Sequence, residues 1–328
     1  MTPLLITVII LALVFDFLNG VHDSSNIVAT IISSRALSPR VALGMTAVAE
    51  FLGPFILGVA VANTIGTEIV AANQITTITI LAALISAIVW NLLTWYLGFP
   101  SSSSHALIGG ILGSIIVGTG WRVINLDGLL KILFALFFSP VIGFVIGFIL
   151  LKLVLLLSWK SSPRINGLFQ RSQIFTAITL GLSHGANDPP KTMGIITLAL
   201  VTEGYLLSFH VPTWVILLCA VVIAIGTGIG GWRIIRTVGG KFYKIRPVDG
   251  FSSQFASALI VLVASLTGGP VSATHVVSSA IMGVGAAERA SKVRWGVARE
   301  IAIAWLLTIP ITALLAGGIY LVLSKVLS

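Results

Sequence analysis

The sequence predicts an all-α integral membrane protein made of two five-span halves inserted in opposite orientations. Three observations predict it. Hydrophobic residues make up 57% of the 328-residue chain and charged residues 9%, whereas a water-solvated domain carries about 25% charged residues. The apolar residues gather into runs that approach or exceed the roughly 20 residues a spanning helix needs; a membrane barrel would alternate over strands of about ten. Two polar motifs also recur, in the same order, on either side of a basic segment near the middle of the chain.

Ten apolar stretches follow one another, at about 3–32, 36–62, 73–98, 105–120, 128–158, 173–202, 212–231, 251–267, 275–287 and 298–326. Several contain Gly, Pro or polar breaks, and counting broken pieces separately raises ten to twelve. The first lacks a basic n-region and a small-residue cleavage site, so it reads as a retained span and not a signal peptide. With the N-terminus outside, 15 of the 19 Lys and Arg lie in or beside cytoplasmic gaps, among them Arg35, Lys160, Arg171, Arg233, Lys241, Lys292 and Arg294. The positive-inside rule then puts both termini outside. The same placement removes the nucleic-acid reading of a net charge of +9, because the basic residues set topology and form no phosphate-binding face. The lone cysteine, Cys219, sits inside an apolar run, which excludes a disulfide framework and a Cys-based metal site. Residues 159–172 are polar and basic and read as a cytoplasmic linker between a first half, 1–158, and a second, 173–328.

The halves resemble each other. FPSSSSHALIGGILG matches GGPVSATHVVSSAIMG: Pro100 pairs with Pro270, Ser102 with Ser272, Ser104 with Thr274, His105 with His275 and Gly113 with Gly283, all 170 residues apart. NGVHDSSNIVA matches HGANDPPKTMG, pairing Gly20 with Gly185 and Asp23 with Asp188 at an offset of 165. An odd number of spans per half inverts the second copy. Inverted repeats with polar, interrupted helices mark secondary transporters, whose sites lie near the midplane.

Asp23 and Asp188 each lie inside an apolar stretch, where a charge costs about 2.5–3.5 kcal/mol even on lenient scales. Bound cations or protonation would compensate, unless each Asp merely pairs with Lys191 or a neighbouring helix. Gly20, Gly185, Pro189 and Pro190 are expected to break both helices there and free carbonyl oxygens, hard ligands suited to Na⁺. Asn26 and Asn187 add amides. The PSSSSH and PVSATH segments read as half-helix starts whose backbone N–H groups and hydroxyls suit an oxyanion, or simply cap the helices. Glu50 is a further intramembrane carboxylate and leans towards function; Asn91 and Gln254 are either coordinating groups or interhelical hydrogen bonds. Lys191 could attract the anion or neutralise Asp188. His105 and His275 fit capping, and His22 and His184 could carry protons. An enzyme is disfavoured: there is no G-x-S-x-G elbow, no H-E-x-x-H and no P-loop.

These motifs resemble the inorganic phosphate transporter (PiT) family, on NGVHDSSN at 19–26, FPSSSSHALIGG at 99–110, SHGANDPPKTMG at 183–194 and GGPVSATHVVSSAIMGVG at 268–285. The resemblance implies cation-coupled phosphate uptake, with Na⁺ in some members and H⁺ in others, and sulfate carried by a few. It implies that Asp23 and Asp188 are the essential acids, with Asn26 and Asn187 beside them, and that Ser103, Ser104, Ser272 and Thr274 face the anion. Glu50 falls at a functional glutamate of the family. Gln254 stands where some members have glutamate, and Pro189–Pro190 where many have smaller or more polar residues.

The expected function is phosphate import across the cell membrane by symport with Na⁺ or H⁺. Sulfate is the competing substrate, and a passive anion channel or a scaffold the rival class. Expected partners are the anion, the coupling cation and membrane lipid, with no nucleic acid and no tightly bound cofactor; a homodimer is expected by analogy alone.

Overall fold

The computed structural model describes residues 1–162, 164–240 and 242–327. Lys241, assigned above to the cytoplasmic side, and Pro163 of the linker lie outside the described residues, as does Ser328. The chain folds as helices α1 (Pro3–Ser33), α2 (Pro39–Leu57), α3 (Ala60–Thr67), α4 (Thr77–Leu97), α5 (Ser103–Gly118), α6 (Leu126–Leu157), α7 (Ile165–Gly185), α8 (Pro189–Thr202), α9 (Thr213–Ile229), α10 (Trp232–Gly240), α11 (Pro247–Leu266), α12 (Ala273–Glu288) and α13 (Trp295–Leu327). Prolines start α1, α2, α8 and α11 at positions where a missing N–H costs nothing. Ser102 and Ser272 cap α5 and α12 by accepting the N–H groups of His105 and His275, as the two serine-rich motifs predict.

Every apolar stretch is helical, but the breaks fall differently from expectation. Among the described residues six helices are long and apolar enough to cross a membrane, or seven with α9 and α10 counted as one span bent by 68°. The 36–62 stretch divides at Gly58, whose φ of 86° no helix accepts. The 173–202 stretch divides before Pro189 and Pro190, which remove two consecutive N–H donors. The equivalent break expected at Gly20 is absent, and α1 runs unbroken through Asp23. No proline follows there, and the Ser24 and Ser25 hydroxyls donate back to the carbonyls of Val21 and His22 at 2.8 and 2.7 Å without opening the helix. α7 starts at Ile165, inside the basic segment read as linker; NGLFQRSQ contains no proline, and its glycine, Gly167, lies in the first turn of the helix.

Packing is crossed between the N- and C-terminal parts. α5 lies against α13 and α6 against α12; α1 meets α9 and α10, while α7 meets α2 and α8 meets α3. The crossings nearest the polar motifs run on glycine. Gly20 seats against the Ile223 carbonyl and Gly226 against that of Phe17; Gly185 seats against the Glu50 carbonyl and Gly53 against that of Leu182. A Cβ at any of these four would collide with backbone, so only glycine lets the helices approach this closely. The same approach draws the side chains of α1, α2, α7 and α8 inward. On the outside, α6 exposes Phe134, Phe138, Val141 and Ile149, and α13 exposes Leu306, Leu314 and Val322, a surface suited to lipid.

Candidate functional site

Asp23 projects from the middle of α1 and is 2% exposed. Its Oδ1 accepts from Asn26 Nδ2 at 2.8 Å and from Thr274 Oγ1 at 2.7 Å. Asn26 also donates to the Thr274 oxygen at 2.9 Å, so a first-turn hydroxyl of α12 is locked to α1. Asp188 is held by the other break. It is the N-cap of α8, yet its side chain makes no capping bond. Pro189 and Pro190 offer no N–H, which leaves the carboxylate free to reach Lys191 through Oδ1 and His184 Nε2 through Oδ2 at 2.9 Å.

His184 sits between three carboxylates. Its Nδ1 lies 2.8 Å from Glu50 Oε1, and its Nε2 lies 2.9 Å from Asp188 Oδ2 and 3.8 Å from Asp23 Oδ2. Neither ring nitrogen is aligned for a hydrogen bond, so these are close contacts that become ionic once the ring is protonated. Asp23, His184 and Asp188 offer atoms that all lie within 4.8 Å of one another. A hard cation would draw on the carboxylate oxygens before the softer imidazole nitrogen. Glu50 also accepts from Thr227 of α9 through Oε2. His22 adds a second imidazole, its Nδ1 3.5 Å from Asp23 Oδ1; with both histidines neutral, three carboxylates face one ammonium, which leaves two negative charges, and each histidine that gains a proton removes one. Added cation is the direct way to balance that deficit.

Lys191 spends its ammonium on Asp188, on Ser104 Oγ at 2.6 Å and on the Val271 carbonyl at 2.8 Å. It therefore neutralises Asp188 and also ties the first turn of α5 to the strand of chain leading into α12. Ser104 and Ser272 accept hydrogen bonds, from Lys191 and from His275 N–H, so each keeps its own hydroxyl proton to donate. Ser103 and Thr274 direct theirs to Asn19 Oδ1 at 2.6 Å and to Asp23.

The remaining expected residues are spread around this centre. Asn187 donates to Ser265 Oγ at 3.4 Å and to the Gly269 carbonyl at 3.1 Å, and its Oδ1 is buried without a partner. Gln254 accepts from Thr176 at 2.9 Å and donates to the Ile27 carbonyl at 3.4 Å, one turn of α1 beyond Asp23. It bonds to none of the three carboxylates. Asn91 of α4 is buried with neither amide atom bonded. His105 pairs through Nδ1 with Ser102 at 2.8 Å, and its ring lies 4.3 Å from that of His275, which stacks on Trp305 at 4.0 Å.

Two site residues escaped the sequence reading. Asn19 donates to Asp188 Oδ2 at 3.4 Å while accepting from Ser103, and Thr227 meets Glu50. Asn19 had a signal, since it lies four residues before Asp23 on the same helix face; Thr227 had none.

A family model described as the phosphate transporter family matches residues 19–166 and 156–316. A probable low-affinity inorganic phosphate transporter of Bacillus subtilis (strain 168) is 47% identical over 327 residues, 98% of both chains. One of Rhizobium meliloti (strain 1021), named in the same words, is 46% identical over 97% of this chain and 96% of its own. A solved structure described as the sodium-dependent phosphate transporter superposes with a TM-score of 0.90 at 27% identity, covering 99% of this chain and 100% of the other.

Proposed function

Because this chain belongs to the phosphate transporter family, we propose that it imports inorganic phosphate across the cell membrane by symport with Na⁺, or with protons in its place. Its relatives are named as transporters and not as enzymes. The observation that carries the coupling is the wiring of the two Ser/Thr helix starts to the two aspartates. Thr274 is bonded to Asp23, and Ser104 is reached by the same Lys191 that pairs with Asp188. An anion held at the helix starts therefore sits beside the carboxylates.

Two unit charges 4 Å apart repel by about 4 kcal/mol at an effective dielectric of 20. Phosphate carries one to two negative charges near neutral pH, so it settles there once cations occupy Asp23 and Asp188. Each ligand then raises the affinity for the other by the same factor. Sodium is the favoured cation, supported by the description of the solved relative. Glu50 would hold His184 against the aspartates, with Asn26, Asn187 and Asn19 orienting the ligands; Asn91 and Gln254 would take part from the periphery.

The crossed packing and the paired motifs support an inverted repeat, 1–158 and 173–328, with both termini outside and alternating access by rocking of one helix set around the site. Labelled phosphate uptake into proteoliposomes, with Na⁺ and H⁺ gradients imposed separately and sulfate as competitor, tests the reading. Accumulation that follows the Na⁺ gradient supports it. Flux that needs no cation gradient would make the protein a channel, and preferential sulfate accumulation would reassign the substrate.

A further inference from the structure

Seven residues before Asp23, α1 buries another aspartate that the mechanism above does not use. Asp16 is fully buried; its Oδ1 accepts from the Thr192 hydroxyl of α8 at 3.0 Å, and its Oδ2 has no hydrogen-bond partner. The basic groups of the site are turned elsewhere, His22 towards Asp23, His184 towards Glu50 and Asp188, and Lys191 towards Asp188, Ser104 and Val271. An ionised carboxylate oxygen without a partner in such surroundings calls for a cation or a proton.

Its position gives that demand a direction. On the unbroken α1, Asp16 and Asp23 are two turns apart, about 10 Å along the axis and on one face. Asn19 lies between them, and Asn26 and Thr30 continue the row; all five are buried. A mainly apolar helix thus carries a polar stripe at alternating spacings of three and four. Asn19, Asp23 and Asn26 are tied to Asp188, Ser103 and Thr274. Asp16, at the N-terminal end of the stripe, keeps one oxygen open.

We infer that Asp16, with the Thr192 hydroxyl, is a separate station for a monovalent cation, Na⁺ or a proton, which passes the coupling ion along α1 to the Asp23–Asp188 cluster. The inference rests on the symport reading, under which the N-terminal end of α1 is the outer end, where an entering cation arrives first. Thr192 adjoins Lys191, so the first turn of α8 serves both stations: Lys191 holds Asp188 and Thr192 holds Asp16. The titratable groups around Asp16 are Cys219 of α9, Asp188 of α8, Glu50 of α2 and His184 of α7. None of them hydrogen-bonds its open oxygen.

The test is phosphate uptake by wild-type, Asp16→Asn and Thr192→Val proteoliposomes, titrated with Na⁺ at fixed pH and with pH at fixed Na⁺, then with phosphate at saturating cation. Asp16→Asn is expected to raise the half-saturating cation concentration about tenfold and flatten the cation dependence, with the half-saturating phosphate concentration within about twofold of wild type. Thr192→Val shifts the cation curve the same way by a smaller factor. A shift in the Na⁺ arm assigns Na⁺, and one confined to the pH arm assigns a proton. Curves that superimpose on wild type in both arms overturn the inference, as does a loss of rate with no change in cation half-saturation, the mark of a purely structural contact. If Asp16→Asn is not recovered folded, Asp16→Glu and Thr192→Val carry the same reading. Wild-type uptake indifferent to both cations would remove the symport reading instead.

Discussion

Replacing Lys191 by Met separates the two roles its charge can play. The ammonium is 3% exposed and meets Asp188, Ser104 and the Val271 carbonyl. Breaking a buried pair by removing one partner costs about 3–5 kcal/mol, since the other charge is left uncompensated. Interhelical hydrogen bonds within a membrane add on average about 0.6 kcal/mol each. Lys191→Met should therefore destabilise the protein by about 4–6 kcal/mol on these figures. Most of that penalty belongs to the stranded Asp188, so Asp188→Asn added to Lys191→Met should recover about 3 kcal/mol of it. Detergent-denaturation curves of the wild type, both single variants and the double variant measure this cycle in the absence of phosphate. Equal stability of Lys191→Met and wild type, with additive single effects, would refute the pairing and leave Lys191 as an attractor of the anion alone.

Asp23→Asn should abolish cation-driven phosphate accumulation while the protein still folds, because the amide keeps the shape and an acceptor for Thr274; uptake and size-exclusion profiles of the variant check both halves of the statement. Ser104→Ala should weaken apparent phosphate affinity by about tenfold, the worth of one hydrogen bond to a charged group, with maximal rate less affected; substrate-saturation curves test this. Gly185→Ala places a methyl group against the Glu50 carbonyl and should cost about 1–3 kcal/mol as overpacking, whereas Gly44→Ala, in open space, should cost nothing measurable in the same denaturation assay.

The helical membrane class and the two serine helix starts could be read directly, because both rest on local signals: apolar run length, and Pro followed by hydroxyl residues. The division between α7 and α8 was equally legible, since two consecutive prolines leave two carbonyls unpaired wherever they stand. Gly20 misled for a physical reason. Glycine is compatible with both a broken and a continuous helix, and here its missing Cβ serves a crossing with α9 that no local pattern announces. Lys191 was left between two roles because its sequence neighbour Asp188 was visible, whereas Ser104 and Val271 arrive only on folding. Gln254 reads equally as a coordinating group or an interhelical hydrogen bond from the sequence; Thr176 and the Ile27 carbonyl, which it meets, come from other helices. Asp16 stood at heptad spacing from Asp23 and could have been found by extending the stripe one rung.

The glycine crossings carry a further consequence. The Gly20–Ile223 contact and the Gly185–Glu50 contact use the same backbone fit, but one places an isoleucine where the other places an acid. A carrier assembled from two equivalent parts would rest equally well in either of its mirrored poses. On the proposed inverted-repeat reading a lone carboxyl on one side would remove that tie, so exchanging Glu50 and Ile223 is expected to reverse the resting preference.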